Sequence, residues 1–214
     1  MLAQNRRAER RRDILESLER DRGYRITEVV DWSRFEAEGR FLEGTGSLVL
    51  DRANRIAYAC LSPRTDADLA RDWCREFGYK PVLFHAFDAA GVAIYHTNVM
   101  MCMGDRFAVI CLDAISDREQ RAQVAGRLQE TGQRLIPISF SQMAHFAGNM
   151  LLLRNQKGER ILAMSTRAER SLTEPQRGEL QEFARFVSSP LDTIEDCAGG
   201  GMRCMMAELF LPRR

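Results

Sequence analysis

The amino-acid sequence of 214 residues predicts an α/β fold. Candidate strands and helices alternate along the chain, as an α/β protein requires. The order strand–strand–helix–strand recurs about every fifty residues, which gives about four modules. No low-complexity segment or linker interrupts this pattern, and 45% of the residues are hydrophobic and 29% charged. Such a composition can fill one core, so we expect a single domain over residues 1–214.

The first half of the chain carries signals for two helices and one hairpin. Ile14, Leu15 and Leu18 fall on one face of a charged stretch, which predicts an amphipathic helix. Gly78 is typical of a helix C-cap. The predicted elements, in order, are a helix over residues 5–20, a strand over Tyr24–Trp32, a hairpin of Ser47–Leu50 with Ile56–Leu61, and a helix that Thr65 caps and that runs to about Phe77.

The second half of the chain is rich in apolar runs of strand length. Asp117 and Thr173 are good N-caps and predict helices that run to about Thr131 and Phe186. The apolar run Met205–Leu211 predicts a buried C-terminal strand. The other predicted elements are strands at Val82–Phe87, Val92–His96, Val99–Met103, Ala108–Leu112 and Arg134–Ile138, a helical turn near Gln142–Phe146, and a hairpin of Asn149–Leu153 with Arg160–Met164.

Composition and charge narrow the class of protein. The formal net charge of +1 gives no overall attraction to nucleic acid or to a membrane surface. The six cysteines show no C-x-x-C spacing and the chain has three histidines, so we expect reduced thiols and no metal site. No segment has the apolar character of a signal peptide or the apolar length of a membrane span. These features predict a cytoplasmic protein.

A glycine run, Gly199–Gly201, leads to Cys204 near the end of the chain. Glycine permits positive φ angles and lets the backbone approach a ligand closely. The predicted strand Met205–Leu211 would hold the Cys204 thiol directly after this glycine run, a position that suits a nucleophile that attacks an sp² carbon. However, a free cysteine is more often a small buried hydrophobic side chain, and for this stretch alone that interpretation is the stronger one.

Two other segments favour the catalytic interpretation. In a strand, His96 and Asn98 point to the same face, and two polar side chains on a buried strand need partners. Glu43 stands directly before a glycine-flanked turn that enters a strand. Taken singly, a core histidine and a solvated turn residue are the commoner explanations. Together with Cys204, the two side chains supply the nucleophile, proton shuttle and anion of a thiol-based acyl- or amidino-transfer site.

The same segments resemble the signature segments of the guanidino-group-modifying enzymes. The resemblance rests on Leu42-Glu43-Gly44-Thr45-Gly46, on His96-Thr97-Asn98, and on the glycine-rich turn that ends in Arg203-Cys204-Met205. This superfamily contains the arginine deiminases, dimethylarginine hydrolases and amidinotransferases, and the chain is most similar to the bacterial amidinotransferase-type branch that includes citrulline ureidohydrolases. The resemblance implies a pentein α/β propeller of five ββαβ modules. The first module is expected to be incomplete here, which leaves about four of the five and removes a substrate-binding aspartate.

The resemblance also implies a role for each candidate residue. Cys204 is expected to attack the central carbon of the substrate, while His96 moves the protons and Glu43 binds substrate nitrogens. Arg64 and Arg6 are expected to bind the α-carboxylate of an amino-acid substrate, since the planar guanidinium fork suits a carboxylate. The further pocket residues are Asn98 and Asn149. No metal and no organic cofactor are expected.

The identity of residue 98 suggests the substrate. Deiminases usually carry a carboxylate two residues after this histidine, and this chain has Asn98 instead. Loss of that anion disfavours a guanidinium and favours a neutral ureido group, so we expect hydrolysis of citrulline to ornithine, ammonia and carbon dioxide. The alternatives are an amidinotransferase, in which an amine replaces water, and a shortened, catalytically impaired pentein. Open strand edges of an incomplete propeller also favour a homodimer.

Overall fold

The computed structural model describes residues 1–214 and contains three separate three-stranded β-sheets. The first sheet is formed by β1 (Val49–Asp51), β2 (Ile56–Cys60) and β3 (Lys80–Phe84). β1 and β2 are antiparallel, with Val49 opposite Tyr58, and β3 runs parallel to β2. The second sheet contains β4 (Met101–Met103), β5 (Phe107–Ile110) and β6 (Arg134–Pro137), and the third contains β7 (Leu151–Arg154), β8 (Arg160–Ser165) and β9 (Arg185–Ser189).

All three sheets have the same topology, which confirms the predicted strand–strand–helix–strand repeat. In each sheet the first two strands are antiparallel and the third is parallel to the second. A crossover segment carries the main helix of each module. The α-helices are α1 (Arg12–Arg20), α2 (Gly44–Ser47), α3 (Ala67–Phe77), α4 (Thr97–Met100), α5 (Arg118–Glu130), α6 (Phe140–Ala144), α7 (Thr166–Ser171), α8 (Glu174–Gln181) and α9 (Asp192–Ala198). Four 3-10 helices cover Gln4–Glu9, Ser33–Glu38, Leu112–Ala114 and Met202–Met205.

Local capping signals fix the ends of the crossover helices. Asp117 accepts hydrogen bonds from the first backbone N–H groups of α5, and Thr173 forms a capping box with Gln176 at the start of α8. Gly78 ends α3 with φ of 68°. The predicted cap Thr65 is wrong by one residue. Asp66 caps α3 through its side chain, while the Thr65 hydroxyl is buried and donates elsewhere.

The modules share one continuous apolar core. A cluster of 30 buried residues extends through all three sheets. Every residue of β2 and of β5 is buried, as expected for central strands covered on both faces. The first strands of the modules also meet, because β4 contacts both β1 and β7. The modules are therefore arranged side by side around a common centre.

The N-terminal quarter differs from the prediction. The expected helix over residues 5–20 is divided into the 3-10 helix Gln4–Glu9 and α1, and α1 has no buried residue. The expected strand Tyr24–Trp32 is absent, since Tyr24 forms a single bridge with Arg213 and the residues after it have no ladder partner. A strand needs a paired neighbour, and this apolar stretch has none.

Three more strand predictions are wrong in whole or in part. The predicted strands Val92–His96 and Val99–Met103 are largely replaced by an extended segment, the helical turn α4 and the short strand β4. The predicted C-terminal strand Met205–Leu211 is absent: its residues have no regular structure beyond the turn that ends at Met205, and Phe210 is 63% exposed.

One helix is shorter than predicted. α8 ends at Gln181, well before Phe186, because the chain turns there and forms β9. Two short helices, α7 and α9, are present that the sequence patterns do not predict.

The two ends of the chain meet in a partial fourth unit. The Arg25 N–H donates to the Pro212 carbonyl, and the Arg214 N–H donates to the Gly23 carbonyl. The chain thus contains three complete modules, one fewer than the expected count of about four, and the unit at its two ends has a single bridge between Tyr24 and Arg213 in place of a sheet. None of the helices combines the length and the apolar character needed to cross a membrane. Homodimer formation stays a prediction.

Candidate active site

The predicted site residues converge on one cavity of about 640 Å³. The cavity lies between the N-terminal 3-10 helix, the turns α2 and α4, the end of α9, and the turn that carries Cys204. All of the predicted site residues except Asn149 line it, namely Arg6, Glu43, Arg64, His96, Asn98 and Cys204. No group of three or more His, Cys, Asp or Glu side chains is placed to hold a metal ion.

A buried hydroxyl positions Glu43 and Arg64. Ser47, at the end of α2, accepts a hydrogen bond from the Glu43 N–H (2.8 Å), and its own hydroxyl donates to the Arg64 carbonyl (3.0 Å). The Thr65 hydroxyl donates to the same Ser47 oxygen (2.8 Å). The Thr97 hydroxyl donates to the Ser47 carbonyl, which ties α2 to α4. Buried polar groups need such partners, and here the partners hold the site segments together.

Glu43 and His96 form a buried pair. His96 Nε2 lies 2.8 Å from Glu43 Oε2, and the backbone N–H of Leu2 donates to Glu43 Oε1 (2.8 Å). Burial raises the pKa of Glu43, but the Leu2 N–H, His96 and Arg64 outweigh it, so the net pKa lies below the ordinary value. An ionised carboxylate only accepts hydrogen bonds, so Nε2 carries the proton and the lone pair of the neutral ring is on Nδ1.

The pKa of His96 is lowered. Burial is the largest cause, and it exceeds the opposing effect of Glu43, while Arg64 and Arg6 lower the pKa further. His96 is therefore neutral at neutral pH. Gly46 leaves room for the ring, because a Cβ at this position would lie 2.7 Å from His96 Nδ1. The glycine of the α2 turn is thus required by the position of the histidine.

Cys204 lies in the 3-10 turn Met202–Met205, which contacts β8, and the residue is exposed. The predicted buried strand does not hold it. Instead, two buried amides face its sulfur: Nδ2 of Asn149 is 3.3 Å from Sγ, and Nδ2 of Asn98 is 3.7 Å away. Asn149 Oδ1 also accepts from the Arg203 N–H (3.1 Å), so this side chain fixes the turn. Amide N–H groups aimed at sulfur suit a sulfur that carries negative charge.

The remaining cysteines divide into buried and exposed groups. Burial raises the pKa of the Cys60 and Cys102 thiols to about 12 and that of Cys74 to about 11. Such thiols stay protonated and inert. Cys197, the other exposed cysteine, does not line the cavity. Cys204 is therefore the one thiol placed to react with a molecule in this cavity.

The two candidate arginines differ in their surroundings. Arg6 donates twice to Glu9, from Nε at 2.9 Å and from Nη2 at 3.1 Å, and this contact is the main cause of its raised pKa. Arg64 is half-buried, with Nη1 3.6 Å from Glu43 Oε2 and its guanidinium 5.3 Å from the centre of the Tyr95 ring. No hydrogen bond occupies the Arg64 fork, whereas Glu9 occupies that of Arg6.

Several groups in the site are not predicted from the sequence. Tyr95 lines the cavity, and so do Ile194 and Met205. Ser47 and Thr97 are buried hydroxyls with no recognisable motif. The sequence offers only an indirect signal for these residues. Tyr95 and Thr97 flank His96, and Ser47 follows Gly46.

Comparison with known proteins identifies the family. The family model described as N,N dimethylarginine dimethylhydrolase, eukaryotic, matches residues 1–211. The chain belongs to this family. The match confirms the predicted guanidino-group-modifying superfamily. No curated protein sequence matches the chain.

Several solved structures of this family's fold are similar to the chain. Unliganded AgrE has a TM-score of 0.67 and 20% identity, with 100% of this chain and 28% of AgrE covered. Apo ArgZ, a cyanobacterial arginine dihydrolase, has a TM-score of 0.60 and 18% identity over 77% of this chain and 23% of ArgZ. Agmatine deiminase from C. jejuni has a TM-score of 0.51 and 11% identity over 94% of this chain and 62% of the enzyme.

These structural similarities concern the fold. They confirm the α/β pentein class that the sequence predicts, with its small three-stranded sheets. The chain spans about a quarter of the length of ArgZ and of AgrE, and 56% of the isolated N-terminal domain of ArgZ.

Proposed function

We propose that this chain is a cysteine hydrolase that cleaves a C–N bond in the ureido or guanidino group of an amino acid. The observation that carries the proposal is the exposed Cys204 thiol, which faces two buried amides and shares its cavity with the Glu43–His96 pair. The family match supports the same chemistry, since dimethylarginine hydrolysis is a reaction of this type.

The proposed reaction has two steps. His96 first takes the proton of the Cys204 thiol at Nδ1. The resulting thiolate attacks the central carbon of the substrate, one C–N bond breaks, and the departing nitrogen takes that proton from His96, which is then neutral again. Neutral His96 then removes a proton from the water that hydrolyses the S-linked intermediate. For citrulline, the first step releases ammonia and leaves an S-carbamoyl intermediate. Water hydrolyses this intermediate to a carbamic acid, which loses carbon dioxide as the second C–N bond breaks, so one citrulline and one water yield ornithine, carbon dioxide and ammonia. Glu43 keeps the imidazole in one tautomer, with the Nδ1 lone pair on the side of Gly46, which itself lines the cavity.

We propose citrulline as the substrate, because the polar groups nearest the sulfur are uncharged. Asn98 and Asn149 are both neutral amides, and Glu43 already accepts a hydrogen bond from neutral His96 and lies 3.6 Å from the charged Arg64 guanidinium. A neutral ureido group meets no unpaired charge there, whereas a guanidinium would lack a free carboxylate. Arg64 is the proposed partner of the substrate carboxylate, since its fork is unoccupied.

A second candidate substrate is an N-methylated arginine. The family model that matches the chain is that of N,N dimethylarginine dimethylhydrolase, and AgrE has been solved with L-arginine. In this case Glu43 would give up its contact with Arg64 and bind the guanidinium group of the substrate instead. An amidinotransferase would use the same first step and would differ only in needing an amine acceptor.

The test is product analysis with citrulline, N,N-dimethylarginine, arginine and agmatine. We expect ornithine and ammonia from citrulline, no dependence on an added amine, and no product from the Cys204→Ala variant. Cys197→Ala is the matched control and is expected to keep full activity. Faster turnover of dimethylarginine or arginine than of citrulline would contradict the ureido assignment, and turnover by Cys204→Ala would contradict the thiol mechanism.

A further inference from the structure

Tyr95 links three parts of the site that are distant in sequence. The residue precedes His96 in an extended segment, and its ring centre lies 5.0 Å from that of the His96 ring. The guanidinium of Arg64 lies 5.3 Å from the centre of the Tyr95 ring. On the other side of the cavity, the Tyr95 hydroxyl donates to the Gly199 carbonyl, 104 residues further along the chain. One side chain therefore contacts the base, a candidate carboxylate ligand and the nucleophile loop.

The Gly199 carbonyl lies at the start of the glycine run Gly199–Gly201, which leads directly into the turn Met202–Met205 that carries Cys204. Gly199 ends α9 in a left-handed conformation with φ of 67°, and its N–H donates to the Glu195 carbonyl. Gly200 then packs directly on Cys204, since a Cβ on Gly200 would lie 3.2 Å from Sγ. A shift of Gly199 would thus be transmitted to the sulfur through one residue.

The Cys204 turn is held from two directions. Asn149 holds the Arg203 end through the Arg203 N–H, and Tyr95 holds the Gly199 end through its hydroxyl. The Tyr95 bond joins the glycine run before the turn to the residue directly before His96. Burial raises the pKa of Tyr95, and Cys204 raises it further, so the hydroxyl remains a neutral donor at neutral pH.

We propose that Tyr95 is a positioning residue with two separable effects: its hydroxyl sets the placement of Cys204 relative to His96, and its ring orients Arg64 toward the substrate carboxylate. The inference rests on the proposed function. The hydroxyl acts on the chemical step, because the nucleophile and the base must meet the substrate in one geometry. The ring acts on binding, because a cation over an aromatic face keeps its hydrogen-bonding edge free.

Two substitutions separate the effects. Tyr95→Phe keeps the ring and removes the hydrogen bond, so kcat is expected to fall about tenfold, with KM changed by less than about twofold. Tyr95→Leu removes the ring as well, and KM is expected to rise a further threefold to tenfold, roughly. Tyr79→Phe is the matched control, because Tyr79 also lies under an arginine, Arg55 at 5.0 Å, but makes no hydroxyl hydrogen bond and lies outside the cavity.

Amide hydrogen exchange tests the hydroxyl tether without any substrate. In Tyr95→Phe, exchange in peptides covering residues 199–204 is expected to accelerate about fivefold, and no such change is expected in Tyr79→Phe. Unchanged exchange there, or a Tyr95→Phe enzyme with wild-type kcat, would overturn the role of the hydroxyl. A Tyr95→Leu enzyme with the KM of Tyr95→Phe would overturn the role of the ring. A wild-type protein that turns over none of the four substrates would refute the proposed function. The exchange rates alone would then show whether the Tyr95 hydroxyl holds residues 199–204 in place.

Discussion

The substitution Gly46→Ala is expected to displace His96 from Glu43. The added Cβ would lie 2.7, 2.8 and 2.9 Å from three atoms of the His96 ring, and real Cβ atoms essentially never approach closer than 3.0 Å. Gly46 does not have a positive φ, so the alanine backbone itself is unstrained and the effect is steric. The three atoms nearest to the added Cβ all belong to His96, so the substitution acts first on the histidine.

The size of the effect follows from these distances. Ordinary contact begins at 3.4 Å, so the ring must move by about 0.7 Å. If the movement is away from Glu43, the 2.8 Å contact between Nε2 and Oε2 lengthens to about 3.5 Å and is lost as a hydrogen bond. Loss of a buried hydrogen bond to a charged group costs about 2 kcal/mol of stability. A misplacement approaching 1 Å at the reacting groups costs about 100-fold in activity.

The assay combines urea unfolding with steady-state turnover of citrulline. Gly46→Ala is expected to lose about 2 kcal/mol of unfolding free energy and about 100-fold in kcat/KM. Gly126→Ala is the matched control: Gly126 lies within α5 and no atom lies within 4 Å of its would-be Cβ. This control is expected to gain about 0.5–1 kcal/mol of stability and to keep full activity. Activity of Gly46→Ala within threefold of wild type would refute the steric argument.

Three further predictions concern protonation, thiols and arginines. In NMR titrations, His96 is expected to titrate below its ordinary 6.5, and lower still in Glu43→Gln, which removes the main group that raises its pKa; a rise in the variant would contradict the pairing. The unfolded chain binds this proton at a higher pH than the folded chain does, so lowering the pH favours unfolding. The contribution of His96 to stability is therefore present above pH 6.5 and is lost as the pH falls through the folded pKa. Of the six cysteines, only the two exposed ones are expected to react with iodoacetamide in the native protein, as counted by mass spectrometry. Arg64→Ala is expected to raise KM by about 10- to 100-fold and Arg6→Ala by less than about threefold; equal effects would place both guanidinium groups on the substrate.

The parts of the fold that the sequence predicts well depend on local signals. Asp117, Thr173 and Gly78 cap helices through groups only a few residues away, so their chemistry is visible in the sequence. Hairpins such as β7–β8 pair residues across a short turn, and their predicted ends differ from the structure by about two residues.

The wrong predictions concern elements that depend on distant partners. The apolar stretch Tyr24–Trp32 has the composition of a strand, but no neighbouring strand is available to it. Conversely, the predicted helix from Thr173 to about Phe186 included the first two residues of β9, because the strand character of β9 comes from parallel pairing with β8, from which it is separated by α7 and α8. Neither outcome is contained in the residues of the segment itself.

The candidate site combines both kinds of information. Glu43 and Cys204 stand out through neighbouring glycines, His96 through its place in an apolar run, and all three through the family resemblance; they do line one cavity. The predicted reason for the proximity of His96 and Asn98 was wrong, since a helical turn and not a strand carries Asn98 toward the sulfur. The Tyr95 contact with Gly199 joins residues 104 positions apart, and no local pattern announces it.

The central claim is that Cys204 forms a covalent intermediate with a ureido or guanidino substrate. The most direct measurement is acid quenching of the enzyme during turnover, followed by intact-mass and peptide mass spectrometry. The account predicts an adduct on the peptide containing Cys204, formed with citrulline and absent in Cys204→Ala. Turnover without any adduct on Cys204, or an adduct only on Cys197, would contradict it.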